Sequence, residues 1–166
     1  MTDYQKSRVY AAEHVLVGMY DNAVAADNPV VDLGGGLTLT LPPEAKFGSI
    51  ESVQTYVDRV LALPALATHP RAMVPLKVRH RAGDRKAHYQ SGKIAVHAGR
   101  NNWGMRELVV LHEMAHHLAW GDGHGPRFVS ALLDLLDAAM GPEVALAARV
   151  LFTEGGVDCT PCRDVS

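Results

Sequence analysis

Leu108-Val109-Val110-Leu111-His112-Glu113-Met114-Ala115-His116-His117-Leu118 is the stretch that organises the rest of the chain. Its apolar lead-in is what a buried helix requires, and the spacing predicts a helix from Trp103 to about Trp120. On a helix, positions four apart sit one turn above the other on one face. His112 and His116 can therefore point both imidazoles at one ion without distorting the backbone. Glu113 follows the first histidine, within reach of a water held by such an ion. Chance alone gives H-E-x-x-H in about two of a hundred chains of this size and composition, so the surroundings have to carry the reading.

Those surroundings are informative on the C-terminal side. Gly121-Asp122-Gly123 ends the helix and turns the chain back. His124 follows, next to a second turn at Gly125-Pro126. Zinc favours nitrogen ligands in a tetrahedron, and a catalytic site leaves one position for water. His112, His116 and His124 are thus the expected ligands of one catalytic zinc, with Glu113 as general base. Zinc lowers the pKa of a bound water to about 7, which supplies a nucleophile at neutral pH. Imidazole also suits several other divalent ions. Asp122, Glu143 and Glu154 are rival third ligands. His117, five residues beyond His112, points off the metal face and is expected to pack behind it. A Gly at 119 and a His at 122, which the metzincin pattern needs, are replaced by Ala119 and Asp122.

Outward from this core, Pro126 opens a helix to about Met140, Gly141-Pro142 breaks it, and a last helix runs to about Phe152. Upstream, Asp3 to Ala26 reads as a helix with Val9, Ala12, Val15, Leu16, Met19 and Ala23 on its apolar stripe. Asn28-Pro29 ends it. Val30 to Leu41 carries Gly34-Gly35-Gly36 and reads as a hairpin. Ser49 is the expected N-cap of a helix from Ile50 to Leu63. Val74–His80 and Lys93–His97 alternate as strands, separated by a turn at Gly83-Asp84. This order implies an α+β fold with a small sheet, in a single domain over 1–166. Within it, 1–48 forms an N-terminal helix and strand extension and 153–166 a C-terminal tail.

The bulk numbers agree with such a domain. The chain has 166 residues, 48% apolar and 20% charged, and a net charge of −2. That balance does not point to nucleic acid, although Lys77, Arg79, Arg81, Arg85 and Lys86 cluster locally. No stretch is long and apolar enough to span a bilayer, and the polar N-terminus lacks a signal-peptide core, so a cytoplasmic location is expected. Nine histidines is a high count, and four lie between 112 and 124. Cys159-Thr160-Pro161-Cys162 is half of a zinc-ribbon pattern without a second C-x-x-C; two ordinary thiols in a tail is the leading reading, with a redox switch and a metal pair completed by another subunit left open. Tyr89 and His88, just before the Lys93 strand, are candidates for oxyanion or substrate contacts. Trp103 is expected to anchor the start of the active-site helix and Trp120 to pack under the metal turn.

His112-Glu113-x-x-His116 followed by His124-Gly125-Pro126-Arg127-Phe128 resembles the SprT-like zinc metalloproteases, the group that includes the Spartan protease. The resemblance implies His124 as third zinc ligand and Glu113 as base in a zincin-like fold. It also implies that Lys93–Val96 is the edge strand beside the substrate cleft. Over nearly the whole chain the sequence is similar to a narrower SprT-like group, actinobacterial metallohydrolases whose substrate is not established. The matching pieces are Leu41-Pro42-Pro43-Glu44, Phe47-Gly48-Ser49, Ala87-His88-Tyr89 and Trp103 through His117. The DNA-binding additions of Spartan-type proteases are not found here, which puts the cutting of DNA-bound proteins in doubt.

The leading expectation is a metallopeptidase acting on a peptide or protein held along an edge strand. Two alternatives stay open. One is a zinc hydrolase of a non-peptide amide, with a closed pocket in place of a groove. The other is a zinc-stabilised binding module without turnover, with all four metal positions filled by protein.

Overall fold

The structure, a computed structural model, describes residues 3–83, 86–98 and 103–159. Five α-helices and five short strands make a mixed α+β arrangement among these residues. Asp84 of the expected turn, Arg85 of the basic cluster and Cys162 of the C-x-x-C lie outside the described residues, and Cys159 is exposed.

Helix α1 spans Lys6–Ala25, and its buried face is Val9, Ala12, Leu16, Val17 and Tyr20. The expected stripe is therefore rotated: Val15 is half exposed, while Val17 and Tyr20 turn inward. Strands β1 (Val30–Asp32) and β2 (Thr38–Thr40) pair antiparallel, as the hairpin reading expects. Gly34, Gly35 and Gly36 all have positive φ in the connecting turn, a run that only glycine adopts without strain. Helix α2 spans Ile50–Leu61 and begins with a reciprocal capping box. The Ser49 hydroxyl accepts from the Ser52 backbone at 3.1 Å, and the Ser52 hydroxyl accepts from the Ser49 backbone at 3.2 Å.

Strands β3 (Lys77–His80), β4 (His88–Gln90) and β5 (Lys93–Val96) form one sheet in the order β3-β5-β4. β3 runs parallel to β5 with Lys77 opposite Lys93, and β4 runs antiparallel with Tyr89 opposite Ile94. The expectation that Lys93–Val96 is an edge strand is thereby corrected. It is the central strand, with Ile94, Ala95 and Val96 buried, and β4 is the edge that lies against the histidine helix. The hairpin β4–β5 turns on Ser91 and Gly92, both at positive φ, the backbone of a two-residue hairpin turn.

Helix α3 (Glu107–Leu118) carries the histidine motif, preceded by a 3-10 turn at Trp103–Met105. Its start is fixed by charge-assisted pairing. Arg106 is buried and its guanidinium holds Glu44 at 2.7 Å and Asp21 at 2.9 Å. Glu107 accepts from the Ala45 backbone at 2.7 Å and from the Tyr56 hydroxyl. Removing one partner of a buried, hydrogen-bonded charge leaves the other uncompensated, so these contacts hold the helix at a defined height. Helices α4 (Pro126–Met140) and α5 (Pro142–Glu154) pack in turn on α3 and on each other. Leu111, Met114, Phe128, Leu132 and Leu135 form the fully buried centre of this layer. Trp120 does not pack under the metal turn: it is 61% exposed, with the Arg71 guanidinium 5.4 Å from its ring.

Candidate metal centre

Ten of the twelve residues of α3 are buried, including His112 and Glu113. Such burial is tolerable for polar side chains only when each has a partner. His112 and His116 lie one turn apart, as the motif requires, with ring centroids 4.9 Å apart. His124 returns to them from the loop between α3 and α4, its ring 5.2 Å from His112 and 4.7 Å from His116. One ring nitrogen from each of the three lies within 4.8 Å of the other two, close enough to hold one metal ion.

The loop is built to present His124. Gly121 and Gly123 take positive φ, so the chain reverses in few residues. Asp122 is not a ligand. Its carboxylate accepts from the backbone nitrogens of Arg127 at 2.9 Å and Phe128 at 3.1 Å, satisfying the open N–H groups at the start of α4. Gly125 leaves no room for a side chain, since a Cβ there would stand 2.6 Å from the Asp122 carboxylate. Gln5, fully buried, donates to the His124 carbonyl at 2.8 Å and pairs with the backbone of Asp158, tying the segment before α1 and the segment after α5 to this loop. Glu143 and Glu154, the other rivals for third ligand, are exposed on α5.

Two carboxylates that the sequence reading missed stand behind two of the histidines. Glu13 of α1 holds His112 Nδ1 at 2.8 and 2.9 Å. Asp3 holds His124 Nδ1 at 2.6 Å and the His124 backbone nitrogen at 3.1 Å. A carboxylate on Nδ1 fixes the proton there and leaves the Nε2 lone pair open to a cation. The two Nε2 atoms then face each other at 3.4 Å. Two neutral imidazoles in that tautomer meet lone pair to lone pair, so a cation between them, a proton or a metal, is what makes the arrangement favourable. The donor set thus fits a metal ion, with a carboxylate behind two of its three imidazoles.

Aromatic rings close the centre on two sides. Phe128, fully buried, packs 4.4 Å from His116 and 4.9 Å from both His112 and His124. Tyr10 of α1 stacks 5.3 Å from His112 and lies tilted 5.0 Å from His124. Lys6, Tyr10 and Glu13 recur at helical spacing on α1, a polar face beside the apolar stripe. That spacing is the signal that could have located them in the sequence.

The electrostatics follow from burial. Desolvation raises the Glu113 pKa above the ordinary carboxylate value, opposed by His112 and by a hydrogen bond from the Tyr89 backbone. Burial pushes the His112 imidazolium down, but the charge and hydrogen bond of Glu13 outweigh it and the net shift is upward. His116 is lowered to about 2 by burial and by the neighbouring His112 and His124. His124 is lowered by burial despite Asp3. The Tyr10 phenol is pushed up to about 12 by burial and by the Glu113, Glu13 and Asp3 charges.

The remaining expected site residues separate. His117 lies off the metal face, as expected: it is fully buried, with Nε2 3.0 Å from the Val74 carbonyl and Nδ1 3.3 Å from the Tyr89 hydroxyl. The Tyr89 hydroxyl is therefore engaged away from the three histidines, accepting from the Gly92 backbone at 3.0 Å as well, and its backbone N–H counts only among the smaller influences that lower the Glu113 pKa. His88 is exposed on β4, near enough for its charge to lower the His116 pKa.

No protein-family model, no curated protein and no solved structure matches this chain. What is established for it is the α+β fold, the three-histidine cluster, and the absence from the described residues of any helix long and apolar enough to cross a membrane.

Proposed function

We propose that the chain is a zinc-dependent metallohydrolase with a zincin-like SprT-type site, acting on peptide bonds. The observation that carries this reading is the pair of Nε2 atoms 3.4 Å apart, with His116 beside them and the buried Glu113 carboxyl one residue from the first ligand. Two nitrogens on one tetrahedral zinc, each at about 2.05 Å, stand roughly 3.3 Å apart. His112, His116 and His124 would hold the ion. Zinc there supplies a Lewis acid, lowering the pKa of water and polarising a carbonyl.

The chain's own residues supply the rest. Glu113, made more basic by burial, is suited to take a proton from the attacking water and return it to the leaving amine. Asp3 and Glu13 keep two ligands in the metal-binding tautomer. Tyr10 remains a phenol at neutral pH and is the better candidate for an oxyanion donor, since the Tyr89 hydroxyl faces His117. An extended substrate would pair with the edge of β4, the strand whose backbone touches Glu113.

A second reading, hydrolysis of a non-peptide amide, draws support from a cavity of about 570 Å³ that includes His112 and Glu113 in its wall. A binding module without turnover would need a fourth protein ligand, and among the described residues the cluster contains three. The decisive test is Glu113→Gln. Zinc retained with peptide-library cleavage lost supports the reading, and cleavage at the wild-type rate contradicts it.

A further inference from the structure

The cavity beside the metal centre runs from Tyr10, Glu13, His112 and Glu113 inward between α1 and the α3–α5 layer. Apart from these polar groups its wall is mostly apolar. Leu16, Leu108 and Val109 line it, together with the almost fully buried Leu132, Leu136 and Phe152. Trp103 and Lys86 stand at the rim. Trp103 is 42% exposed and Tyr10 38% exposed, so two large aromatic rings flank an opening that leads to almost fully buried aliphatic side chains. A cavity of about 570 Å³ lies within the range of small-ligand pockets, which bury most of an apolar group and orient it by a few polar contacts. Here the polar contacts are the residues assigned to the chemistry, so a group seated in the cavity places the bond next to it at Glu113 and His112.

We infer that this cavity is a specificity pocket for a bulky apolar group flanking the scissile amide. The inference rests on the hydrolase reading and names its substrate class. Two sources offer that chemistry, the side chain of a large aliphatic or aromatic residue in a peptide and the acyl chain of an N-acyl amide. Burial of each methylene in such a pocket strengthens binding about fourfold.

Binding can be read apart from turnover. Metal-free wild-type protein, in which hydrolysis is off, is titrated calorimetrically with N-acylglycinamides of two to ten acyl carbons. In parallel it is titrated with blocked tripeptides carrying Gly, Ala, Leu or Phe at the centre. Affinity that climbs severalfold per added methylene until the pocket is full supports the inference. A climb in the tripeptide series assigns a peptide side chain, and one confined to the acyl series assigns an N-acyl amide. Affinity flat in both series overturns it, whatever the zinc-loaded protein then does to amide bonds. Ala148→Leu, at the cavity wall, should truncate the climb. Val17→Phe, on the α1 side, checks the same point should the first variant not fold. If the climb is present but the zinc-loaded protein cleaves neither series, the pocket stands and the hydrolase reading falls.

Discussion

The Asp3 carboxylate holds His124 by two atoms at once, Nδ1 at 2.6 Å and the backbone nitrogen at 3.1 Å. Asp3 thus orients a histidine 121 positions away in the sequence. Outer carboxylates of this kind typically change metal affinity ten- to a hundredfold. Asp3→Ala should weaken zinc binding by about that factor in a competitive chelator titration, with the fold retained by circular dichroism. An unchanged affinity would show that the contact orients nothing.

The Tyr10 hydroxyl offers a separate test. Its raised pKa, about 12, keeps the proton on oxygen across the working pH range. Loss of one preorganised donor to a developing oxyanion costs on the order of a hundredfold in kcat. Tyr10→Phe keeps the ring that packs against His112 and His124, so zinc content should hold while kcat falls by about that amount and KM changes little. A kcat equal to wild type would reduce Tyr10 to packing.

Much of this centre could be read in the sequence, and the boundary of what could is physical. The cluster of His112, His116 and His124 with Glu113 beside it follows from helical period and from glycine-marked turns, both local properties of the chain. Asp3, Glu13 and Tyr10 lie more than ninety residues upstream, Asp3 ahead of α1 and the other two on its polar face; helical spacing marks that face, but nothing local says which histidine a carboxylate on it meets. Strand β4 was missed because three residues are too few to show alternation, although Ser91-Gly92 marks its hairpin turn. The edge assignment of Lys93–Val96 comes from the SprT-like resemblance, and the pairing of β4 with β5 is what moves that strand to the centre. The rotation of α1 has a similar cause. Small alanines leave the stripe ambiguous, and packing against α5 puts Val17 inside and Val15 outside.

Acidification should destabilise the metal-free protein. His116 has an ordinary pKa of 6.5 and is lowered to about 2 in the fold. Below pH 6.5 the unfolded chain takes up a proton that the folded chain refuses, so stability falls with pH throughout that window. His124 and His117, also lowered, act in the same sense. His112 and Glu113, both raised, act against it. In thermal melts of metal-free protein between pH 7 and pH 5, His116→Asn should therefore show a shallower fall in Tm than wild type. Parallel curves would mean that His116 titrates normally.

Gly125 tests the loop itself. Its φ of −70° suits any residue, so the constraint is steric. A methyl group would meet the Asp122 carboxylate that caps α4, and overpacking of this kind costs about 1–3 kcal/mol. Gly125→Ala should lower the urea midpoint accordingly and weaken zinc binding, because the same turn carries His124. A variant with wild-type values for both would show that the carboxylate moves aside freely.

The most direct measurement is anomalous diffraction at the zinc edge from crystals grown with zinc. Expected is one peak about 2.1 Å from the Nε2 atoms of His112, His116 and His124, with a non-protein ligand completing the tetrahedron beside Glu113. A peak elsewhere, or a fourth ligand supplied by the protein, would contradict a catalytic three-histidine centre.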